Sequence, residues 1–336
     1  MKKVSIIIPV YNMEDWVESG IKCITEQTYE NLEIIIVDDG SKDNSYMKCL
    51  AEADKDRRIA VFSKNNEGPG AARNLALRKA TGDYIYFFDI DDYLEKNAIE
   101  KFVRYMENEN TDLVVCSFSM FDGEKVFRTV KKADGLKRTG GDARKDYYEH
   151  MFRYGERGIQ GAAWFKLYKT DIIRKNGIEF PKLRKNEDDV FVARYVNCID
   201  SFYMTGDVLC RYYVNSYKRF WDKYRFDIFD TSRQSTMYVK DIVLSWNRNN
   251  KDVLQRIYDD YFHKTFGSFC FLFNPNLKLN RKARYARLKE ITDIFMDDIS
   301  CDGIEINHPI FKCMKKKNYR AIYVRIVLHI WKHKFD

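Results

Sequence analysis

Three carboxylates within four residues mark the place in this sequence where chemistry is most readily predicted. The apolar run at residues 84–88 leads directly into Asp89, Asp91 and Asp92. Such a run, ended abruptly by charge, is typical of a strand buried on both faces of a parallel sheet. The acids would then lie at the carboxyl edge of the sheet, where open α/β proteins bind ligands. Oxygen ligands at this spacing suit Mg²⁺ or Mn²⁺, although Asp91 or Asp92 could instead cap the next helix.

Two more polar strand ends are expected beside these acids. Strand patterns alternate with helical patterns along the first hundred residues, the strands at 4–10, 32–37 and 59–62 and the helices at 14–26, 43–53 and 71–79. The alternation predicts a doubly wound parallel sheet. Because parallel strands end at a common edge, Tyr11 and Asn12 after the first strand and Asp38 and Asp39 after the second should lie near the acids.

A glycine-rich turn adds a phosphate-binding feature to this edge. Gly68-Pro69-Gly70 precedes the third helix, whose N-terminal amides and dipole favour phosphate, and Arg73 can add a bidentate contact. An acid at the second strand end suits a base or ribose, and a cation at Asp91 would neutralise a diphosphate. Together these groups predict a nucleoside-diphosphate site, whereas Asp38-Asp39-Gly40 alone would be an ordinary turn.

Composition sets wider limits on the fold and its partners. The 336 residues allow two domains or one large one, and a hydrophobic content of 45% supports a sizeable core. The net charge of +8 fits anionic substrates and anionic membrane surfaces and does not require nucleic acid. Eight cysteines without CxxC spacing, and no signal-peptide pattern at the first residues, predict a reduced, cytoplasmic protein. No apolar run reaches the roughly 18–20 residues of a membrane span.

Four stretches of the chain together resemble the family 2 glycosyltransferases. They are VSIIIPVYNMEDWV, IIIVDDGSKDNS, NNEGPGAARNLAL and GDYIYFFDIDDYL, and they follow the family's order and spacing. The resemblance implies a GT-A fold, a nucleotide-sugar donor and inversion of the transferred sugar. It also implies that Asp38 or Asp39 recognises the base, and that Asp89-x-Asp91, adjoined by Asp92, is the family's metal-binding motif.

The middle of the chain continues the resemblance. Trp164-x-Lys166-Leu167, a short helix, Phe180-Pro181 and Glu187-Asp188 follow in the family's order. Asp188 matches the catalytic base of the family, and a further acid, Asp189, comes next. The alternative for these acids is a first helical turn favoured by the helix dipole. Similar enzymes close over the diphosphate with a later tyrosine-rich stretch, in which Arg211, Tyr213 and Asn215 are candidates.

These observations give a definite set of expectations. We expect a GT-A-type, doubly wound, mainly parallel α/β sheet at residues 1–218, with a nucleotide-sugar half at 1–105 and an acceptor half at 106–218, followed by a helical region at 219–336. The expected base is Asp188, and the expected metal ligands for Mg²⁺ or Mn²⁺ are Asp89, Asp91 and Asp92. The residues expected to bind the donor are Pro9, Tyr11, Asn12, Asp38, Asp39, Gly68, Arg73 and Asp89.

The expected activity is metal-dependent transfer of a sugar from a UDP-sugar to a saccharide or lipid-linked saccharide in surface polysaccharide synthesis. A sugar nucleotidyltransferase would need a glycine-rich, arginine-containing loop after the first strand, where this chain has Pro9-Val10-Tyr11-Asn12. A dinucleotide-binding dehydrogenase would need GxGxxG there. A nucleotide-sugar binding protein without turnover remains an alternative that only a measurement of donor hydrolysis or transfer separates.

The end of the chain carries a different signal. Three lysines at 315–317 precede an apolar stretch at 321–332 which, as a helix, places Arg325, His329 and Lys332 on one polar stripe. This pattern is typical of an interfacial helix, here at the inner face of the cell membrane. The alternative is a terminal helix packed on the helical region.

Overall fold

The computed structural model describes residues 1–141, 143–152, 161–183, 185–214, 229–246, 251–300 and 302–333. The chain divides into two compact units, Met1–Asn215 and Ser216–Asp336. The candidate Asn215 and the predicted boundary between residues 218 and 219 lie outside the described residues.

The first unit is built around one mixed sheet. Its strands are β1 (Val4–Val10), β2 (Leu32–Asp38), β3 (Ile59–Ser63), β4 (Tyr84–Phe87), β5 (Tyr93–Leu94), β6 (Leu113–Phe121), β7 (Val126–Val130), β8 (Leu136–Thr139), β9 (Lys166–Lys169) and β10 (Ser201–Tyr213). Its helices are α1 (Val17–Thr25), α2 (Ser45–Ala53), α3 (Pro69–Lys79), α4 (Ala98–Asn108), α5 (Ala143–Phe152), α6 (Thr170–Lys175) and α7 (Glu187–Val196).

The order of the strands places the predicted ligand-binding edge as expected. The sheet runs β3-β2-β1-β4-β9-β6-β10-β5, with β7 added to β6 and β8 to β10. The first four strands are parallel, and the register pairs Val10 of β1 with Asp38 of β2 and Ile7 with Phe87 of β4. The ends of β1, β2 and β4 therefore meet at one edge, which confirms the predicted α/β class with a mainly parallel sheet.

Two details of this sheet differ from the sequence-based reading. Proline has no backbone N–H to donate, so Pro9 would be expected to end the pairing of β1, but the strand continues to Val10, whose carbonyl accepts a hydrogen bond from the Asp39 amide at 2.8 Å. Strand β9 was not foreseen at all. It lies antiparallel between β4 and β6 and is only four residues long, and it separates the parallel first half of the sheet from the parallel pair β6 and β10. Strands β6 and β7 are antiparallel and form a hairpin around Asp122 and Gly123.

A cluster of aromatic rings fixes α7 against the end of β4. Phe180 and Phe191 stack at 4.1 Å, and Phe87 meets both rings edge-on at 5.3 and 5.2 Å. All three side chains are buried. Asn186, in the left-handed conformation at a φ of +60°, then starts α7. The acids of the first turn of α7 are thereby held near the acids that follow β4.

The second unit is helical, as expected. It contains α8 (Phe229–Trp246), α9 (Lys251–Phe271), a 3₁₀ turn at Pro275–Leu277, α10 (Arg281–Ile299), α11 (Pro309–Lys315) and α12 (Tyr319–His333). Its aromatic residues form the core, with Tyr258, Tyr261 and Phe295 buried beside aliphatic side chains of the last two helices. None of the described helices has the length and apolar character needed to cross a membrane.

Helix α12 packs on this core through one face. Ile322, Ile326 and Ile330 are buried in the cluster, and His329 lies against the ring of Phe266 at 4.8 Å. The isoleucine face of α12 is therefore packed on the helical region, as in the alternative that the sequence left open. The other faces of α12 remain at the surface, so the predicted contact with a membrane stays a prediction.

Candidate functional site

A cavity of about 610 Å³ opens at the carboxyl edge of the parallel strands. Its volume lies within the range of roughly 300–1,000 Å³ that is typical of small-molecule sites. Most residues predicted to bind a donor or metal line it, namely Pro9, Tyr11, Asp39, Gly68, Arg73, Asp89 and Asp91. Four other predicted residues, Asn12, Asp38, Asp92 and Asp188, stand behind or beside this wall and not among its lining residues.

The two acids after β2 have different surroundings. Asp38 is buried, and its Oδ2 accepts hydrogen bonds from the Gly40 and Ser41 amides, both at 3.2 Å. Asp39 lines the cavity and accepts hydrogen bonds from the Gly68 amide at 2.7 Å and from Lys64 Nζ at 3.0 Å. Both acids are buried, but Asp38 fixes its own turn, whereas Asp39 lines the cavity.

The turn before α3 is held in place by this same acid. Gly68 has a φ of +97°, a left-handed conformation that costs glycine least. Its amide donates to Asp39, and its carbonyl accepts from Ala71 and Ala72 in the first turn of α3. Lys64 was missed in the sequence, although its place directly after β3 at the same edge could have indicated it.

Asn12 ties two loops together and does not line the cavity. It has a φ of +51°, its amide donates to Ser41 Oγ at 3.0 Å, and its Oδ1 accepts from the Lys42 amide at 2.8 Å. These bonds join the end of β1 to the loop after β2. The side chain of the preceding Tyr11 is 41% exposed at the cavity, where its ring can cover a planar ligand.

Arg73 joins the acids of two distant segments. Its guanidinium contacts Asp89 at 2.8 Å, Glu187 at 2.8 Å and Asp188 at 3.0 Å, although the side chain is only 6% exposed. Burial alone would lower the pKa of Arg73, but the charges of Asp188, Asp89 and Glu187 outweigh it and raise the pKa. Arg73 therefore stays charged and holds the start of α7 beside the end of β4. Glu187 received no role from the sequence, because this pairing spans 114 residues.

Asp188 has the environment of a proton acceptor. Its side chain is 21% exposed, and its Oδ2 accepts a hydrogen bond from the Ala163 amide at 3.4 Å. Burial raises the pKa of Asp188 to about 7; the charge of Arg73 opposes the shift, and the charges of Glu187 and Asp89 add to it. A carboxylate that titrates near neutral pH can accept a proton from a hydroxyl group and still be partly ionised.

Asp189, the next residue of α7, packs against the segment that precedes β9. A Cβ added at Gly161 would overlap the Asp189 side chain, so the two residues are packed closely. Arg73 contacts Glu187 and Asp188 of the acidic turn. The geometry thus favours Asp188 over its neighbour as the residue beside the cavity.

The three acids after β4 also differ in whether they line the cavity. Asp89 and Asp91 line the cavity, whereas Asp92 is buried, and its Oδ1 accepts a hydrogen bond from the Tyr213 amide at 2.9 Å. Burial, reinforced by the charges of Asp89 and Asp91, raises the pKa of Asp92 well above its ordinary value. In the described part of the chain, no three Asp, Glu, His or Cys side chains converge closely enough to hold a metal ion.

Two carboxylates at a cavity nevertheless fit one kind of metal site. Mg²⁺ commonly takes one or two protein carboxylates and completes its shell with water and substrate phosphates. Asp89 and Asp91 match that donor set, whereas a cage made only of protein ligands would need more of them.

Arg211 and Tyr213, the candidates from the later tyrosine-rich stretch, contact other parts of the protein and do not line the cavity. Arg211 pairs with Glu95 at 2.7 Å and stacks over the Tyr93 ring, so it points along β5 and not into the cavity. Tyr213 supplies the amide that Asp92 binds, and its ring lies 4.6 Å from that of Trp16. Both residues fix the end of β10 beside the acids.

Relatives of known sequence match somewhat more than half of the chain. EpsH of Bacillus subtilis is 34% identical over 57% of this chain and 55% of its own length. The poly(ribitol-phosphate) beta-glucosyltransferase of Bacillus spizizenii is 31% identical over 56% of this chain and 28% of its own length. The chain thus spans about half or less of the length of these two relatives.

Solved structures match nearly the whole chain. Staphylococcus aureus TarS 1-349 in complex with UDP has a TM-score of 0.68 and 17% identity, and covers 96% of this chain and 89% of its own. The mannosyltransferase PcManGT of Pyrobaculum calidifontis, in complex with GDP-Man and Mn²⁺, has a TM-score of 0.51 and 15% identity, and covers 99% of this chain and 88% of its own. These likenesses show the GT-A-type fold. Because the family model for glycosyl transferase family 2 matches residues 5–176, about half of the sequence, the chain belongs to that family.

Proposed function

We propose that this chain is an inverting glycosyltransferase that moves a sugar from a UDP-sugar to a saccharide or lipid-linked saccharide in surface polysaccharide synthesis. The observation that carries the proposal is the Arg73 cluster, which sets Asp188, with its pKa of about 7, beside a cavity lined by Asp89 and Asp91. The UDP bound to TarS and the glucosyltransferase named among the relatives support the donor class. A lipid-linked acceptor would place the chain on the inner face of the membrane.

The nucleotide would occupy the edge formed by residues 1–105. Tyr11 would cover the base, and Asp39 would meet its hydrogen-bond donors, because both residues line the cavity at the ends of β1 and β2. The diphosphate would lie between the turn at Gly68 and the acids after β4, where the first turn of α3 favours anions. The acceptor would enter from the half formed by residues 106–218, which supplies Asp188.

The acids at the diphosphate require a counter-charge. Arg73 supplies part of it, since it contacts Asp89. A Mg²⁺ or Mn²⁺ ion held by Asp89 and Asp91 would supply charge neutralisation of the leaving diphosphate, and the Mn²⁺ present with PcManGT supports this assignment. Asp92 would act from behind, because its bond to the Tyr213 amide fixes the acidic turn.

Asp188 would carry the proton transfer. As the acceptor hydroxyl oxygen attacks the anomeric carbon, Asp188 takes the hydroxyl proton, and the bond from that carbon to the diphosphate oxygen breaks with its electron pair. One displacement inverts the configuration and needs no enzyme nucleophile. Arg73 and the Ala163 amide keep the carboxylate in one orientation, so that the base does not have to be reorganised during the reaction.

The elevated pKa of Asp188 predicts a particular pH profile. Below pH 7 the folded protein holds the proton on Asp188, and the base form is lost. We expect kcat/KM to rise about tenfold per pH unit up to about pH 7 and then to level off. The measurement is the initial rate of UDP release between pH 5.5 and 8.5 at saturating metal. A flat profile over this range would contradict the assigned environment of Asp188.

A second expected result concerns the metal. Asp91→Ala should weaken Mn²⁺-dependent binding of UDP by at least about tenfold, a loss of roughly 1.4 kcal/mol. Asp92→Asn is the matched control, because the amide oxygen can still accept the Tyr213 hydrogen bond and the residue lies outside the cavity. Its UDP affinity should stay near that of the unaltered chain. Isothermal titration calorimetry with and without EDTA measures both variants, and EDTA-insensitive UDP binding would refute the metal assignment.

The donor class itself can be tested with a panel of nucleotide-sugars. Thermal unfolding would be followed with UDP-, GDP- and TDP-linked sugars, each with and without Mn²⁺. We expect the largest rise in unfolding temperature with UDP-sugars and Mn²⁺, because a ligand that binds only the folded state stabilises it. Equal protection by all nucleotides, or by none, would remove the support for a UDP-sugar donor.

The alternatives make different demands on the site. In the structure the glycine-rich turn follows β3 and not β1, which disfavours a nucleotidyltransferase. A binding protein without turnover would not need a carboxylate whose pKa is raised to about 7 beside the cavity.

A further inference from the structure

Helix α12 carries a second apolar face that the core does not cover. Val324, Val327, Leu328 and Trp331 are exposed to 55%, 40%, 58% and 73%. The last three follow Val324 by three, four and seven positions, which places all four on one side of the helix. The buried Ile322, Ile326 and Ile330 lie on another side. We call these four residues the α12 stripe. Apolar side chains that are contiguous and exposed mark an interaction surface more often than chance would give.

A basic cavity adjoins one end of this stripe. It measures about 540 Å³ and is lined by Arg281, Lys282, Tyr285, Arg320, Tyr323 and Val324, a set we call the α10–α12 pocket. The residues come from the first two turns of α10 and of α12. Val324 belongs to both the pocket and the stripe, so the two form one continuous surface.

Three of the six residues that line the α10–α12 pocket are cations, namely Arg281, Lys282 and Arg320. No ion pair involves Arg281, Lys282 or Arg320 among the residues that the structure describes. Arg281 lies 6.0 Å from the centre of the Tyr323 ring, which helps to orient its guanidinium at the pocket. Further exposed cations, Arg325 and Lys332, stand on the same helix as the stripe. An anionic group is therefore the ligand that this pocket fits.

We infer that the α10–α12 pocket and the α12 stripe together dock the chain on an anionic phospholipid bilayer. A lipid phosphate enters the pocket between Arg281 and Arg320, and the stripe inserts into the boundary between headgroups and acyl chains. A basic pocket beside the α12 stripe, with its exposed Trp331, suits the surface of an anionic bilayer, where electrostatic attraction and burial of apolar side chains both contribute to binding. A bilayer presents its phosphates directly beside its acyl chains, and so requires the α10–α12 pocket to adjoin the α12 stripe, whereas a protein partner would not.

The surface refines the expectation drawn from the sequence. That expectation placed a polar stripe through Arg325, His329 and Lys332, with apolar residues on all other sides. In the structure, His329 packs against Phe266 and the isoleucine face is buried, so only the α12 stripe remains to meet a membrane. The inference goes beyond the proposed reaction and does not depend on catalysis.

Flotation of the full chain with vesicles tests this docking surface. The vesicles would contain phosphatidylcholine alone or with 30 mol% phosphatidylglycerol, at about 50 mM and at 500 mM NaCl. We expect the chain to float with the anionic vesicles at low salt and to bind at least about tenfold more weakly to neutral vesicles or at high salt. Leu328→Glu/Trp331→Glu and Arg281→Glu/Arg320→Glu should each reduce binding by a similar factor.

Two control variants make the result specific. Arg57→Glu/Lys251→Glu changes the charge equally at exposed residues elsewhere, and Met47→Glu/Tyr238→Glu removes exposed apolar side chains elsewhere. Both should float like the unaltered chain, with circular dichroism confirming that all variants fold. The inference is overturned if the unaltered chain does not float with anionic vesicles, or if the controls lose binding equally. A dimer that Leu328→Glu/Trp331→Glu dissociates, without vesicle binding, would identify the stripe as a contact between copies and would also overturn it.

Discussion

Replacing Asp188 with asparagine is expected to lower kcat by about 10²–10⁴-fold, the usual contribution of a positioned general base. The single amide oxygen can still accept the hydrogen bond from Arg73 at the position of Oδ1, and only the long 3.4 Å bond from the Ala163 amide loses its acceptor, so the geometry of the site should largely persist. It cannot take a proton from the acceptor hydroxyl. The affinity for UDP should change little, because Asp188 stands beside the cavity and not among its lining residues. Steady-state UDP release and calorimetric UDP binding measure the two effects separately.

Asp189→Asn is the matched control for this prediction. It makes the same chemical change one residue along α7, at a side chain packed against Gly161. We expect its kcat to stay close to that of the unaltered chain. If Asp189→Asn is inactive and Asp188→Asn is active, the base has been assigned one residue too early.

Replacing Arg73 with methionine should have the largest effect on stability. Methionine fills a similar volume but leaves Asp89, Glu187 and Asp188 without their shared cation. Breaking a buried ion pair from one side typically costs about 3–5 kcal/mol. Two of the three acids are partly exposed and one can be neutralised by protonation, so we expect the lower end of this range. Loss of the cation should also raise the pKa of Asp188 and move the pH profile upward.

Hydrogen exchange measured by mass spectrometry can localise this loss. Peptides from α3 and α7 should exchange faster in Arg73→Met, since Arg73 joins these two helices. Arg78→Met is the control on the same helix, because Arg78 is 57% exposed and its pair with Glu179 lies on the surface at 3.5 Å. Exposed pairs contribute about 0–1 kcal/mol, so its exchange should hardly change. If the α3 and α7 peptides exchange at the same rate in Arg73→Met as in Arg78→Met, the Arg73 cluster does not hold α7 in place.

The parts of the site that follow from strand order were predictable from the sequence. Apolar runs that end in Asp38 and in Asp89 identify both the strands and the edge where they stop, because parallel strands share that edge. Gly68 was predictable for a similar local reason, since a turn that feeds a helix favours glycine there. These features depend only on residues close together in the chain.

Other parts depend on contacts between distant residues and could not be predicted. The pairing of Arg73 with Glu187 spans 114 residues, and no local pattern indicates it. Strand β9 is four residues long and enters the sheet between two strands that precede it. The choice between Asp38 and Asp39 depends on which of two buried carboxylates the fold places at the cavity wall. In α12 apolar residues occur on several sides, so only packing shows which face is buried.

The most direct test of the proposed reaction is the anomeric configuration of the product formed from UDP-sugars. The chain would be incubated with Mn²⁺ and a panel of α-linked UDP-sugars with saccharide acceptors, and the first product would be followed by proton NMR. We predict UDP release with a β-linked product for at least one donor, and a loss of about 10²–10⁴-fold in Asp188→Asn. An α-linked product, or UDP release that Asp188→Asn leaves unchanged, would contradict single displacement with Asp188 as the base.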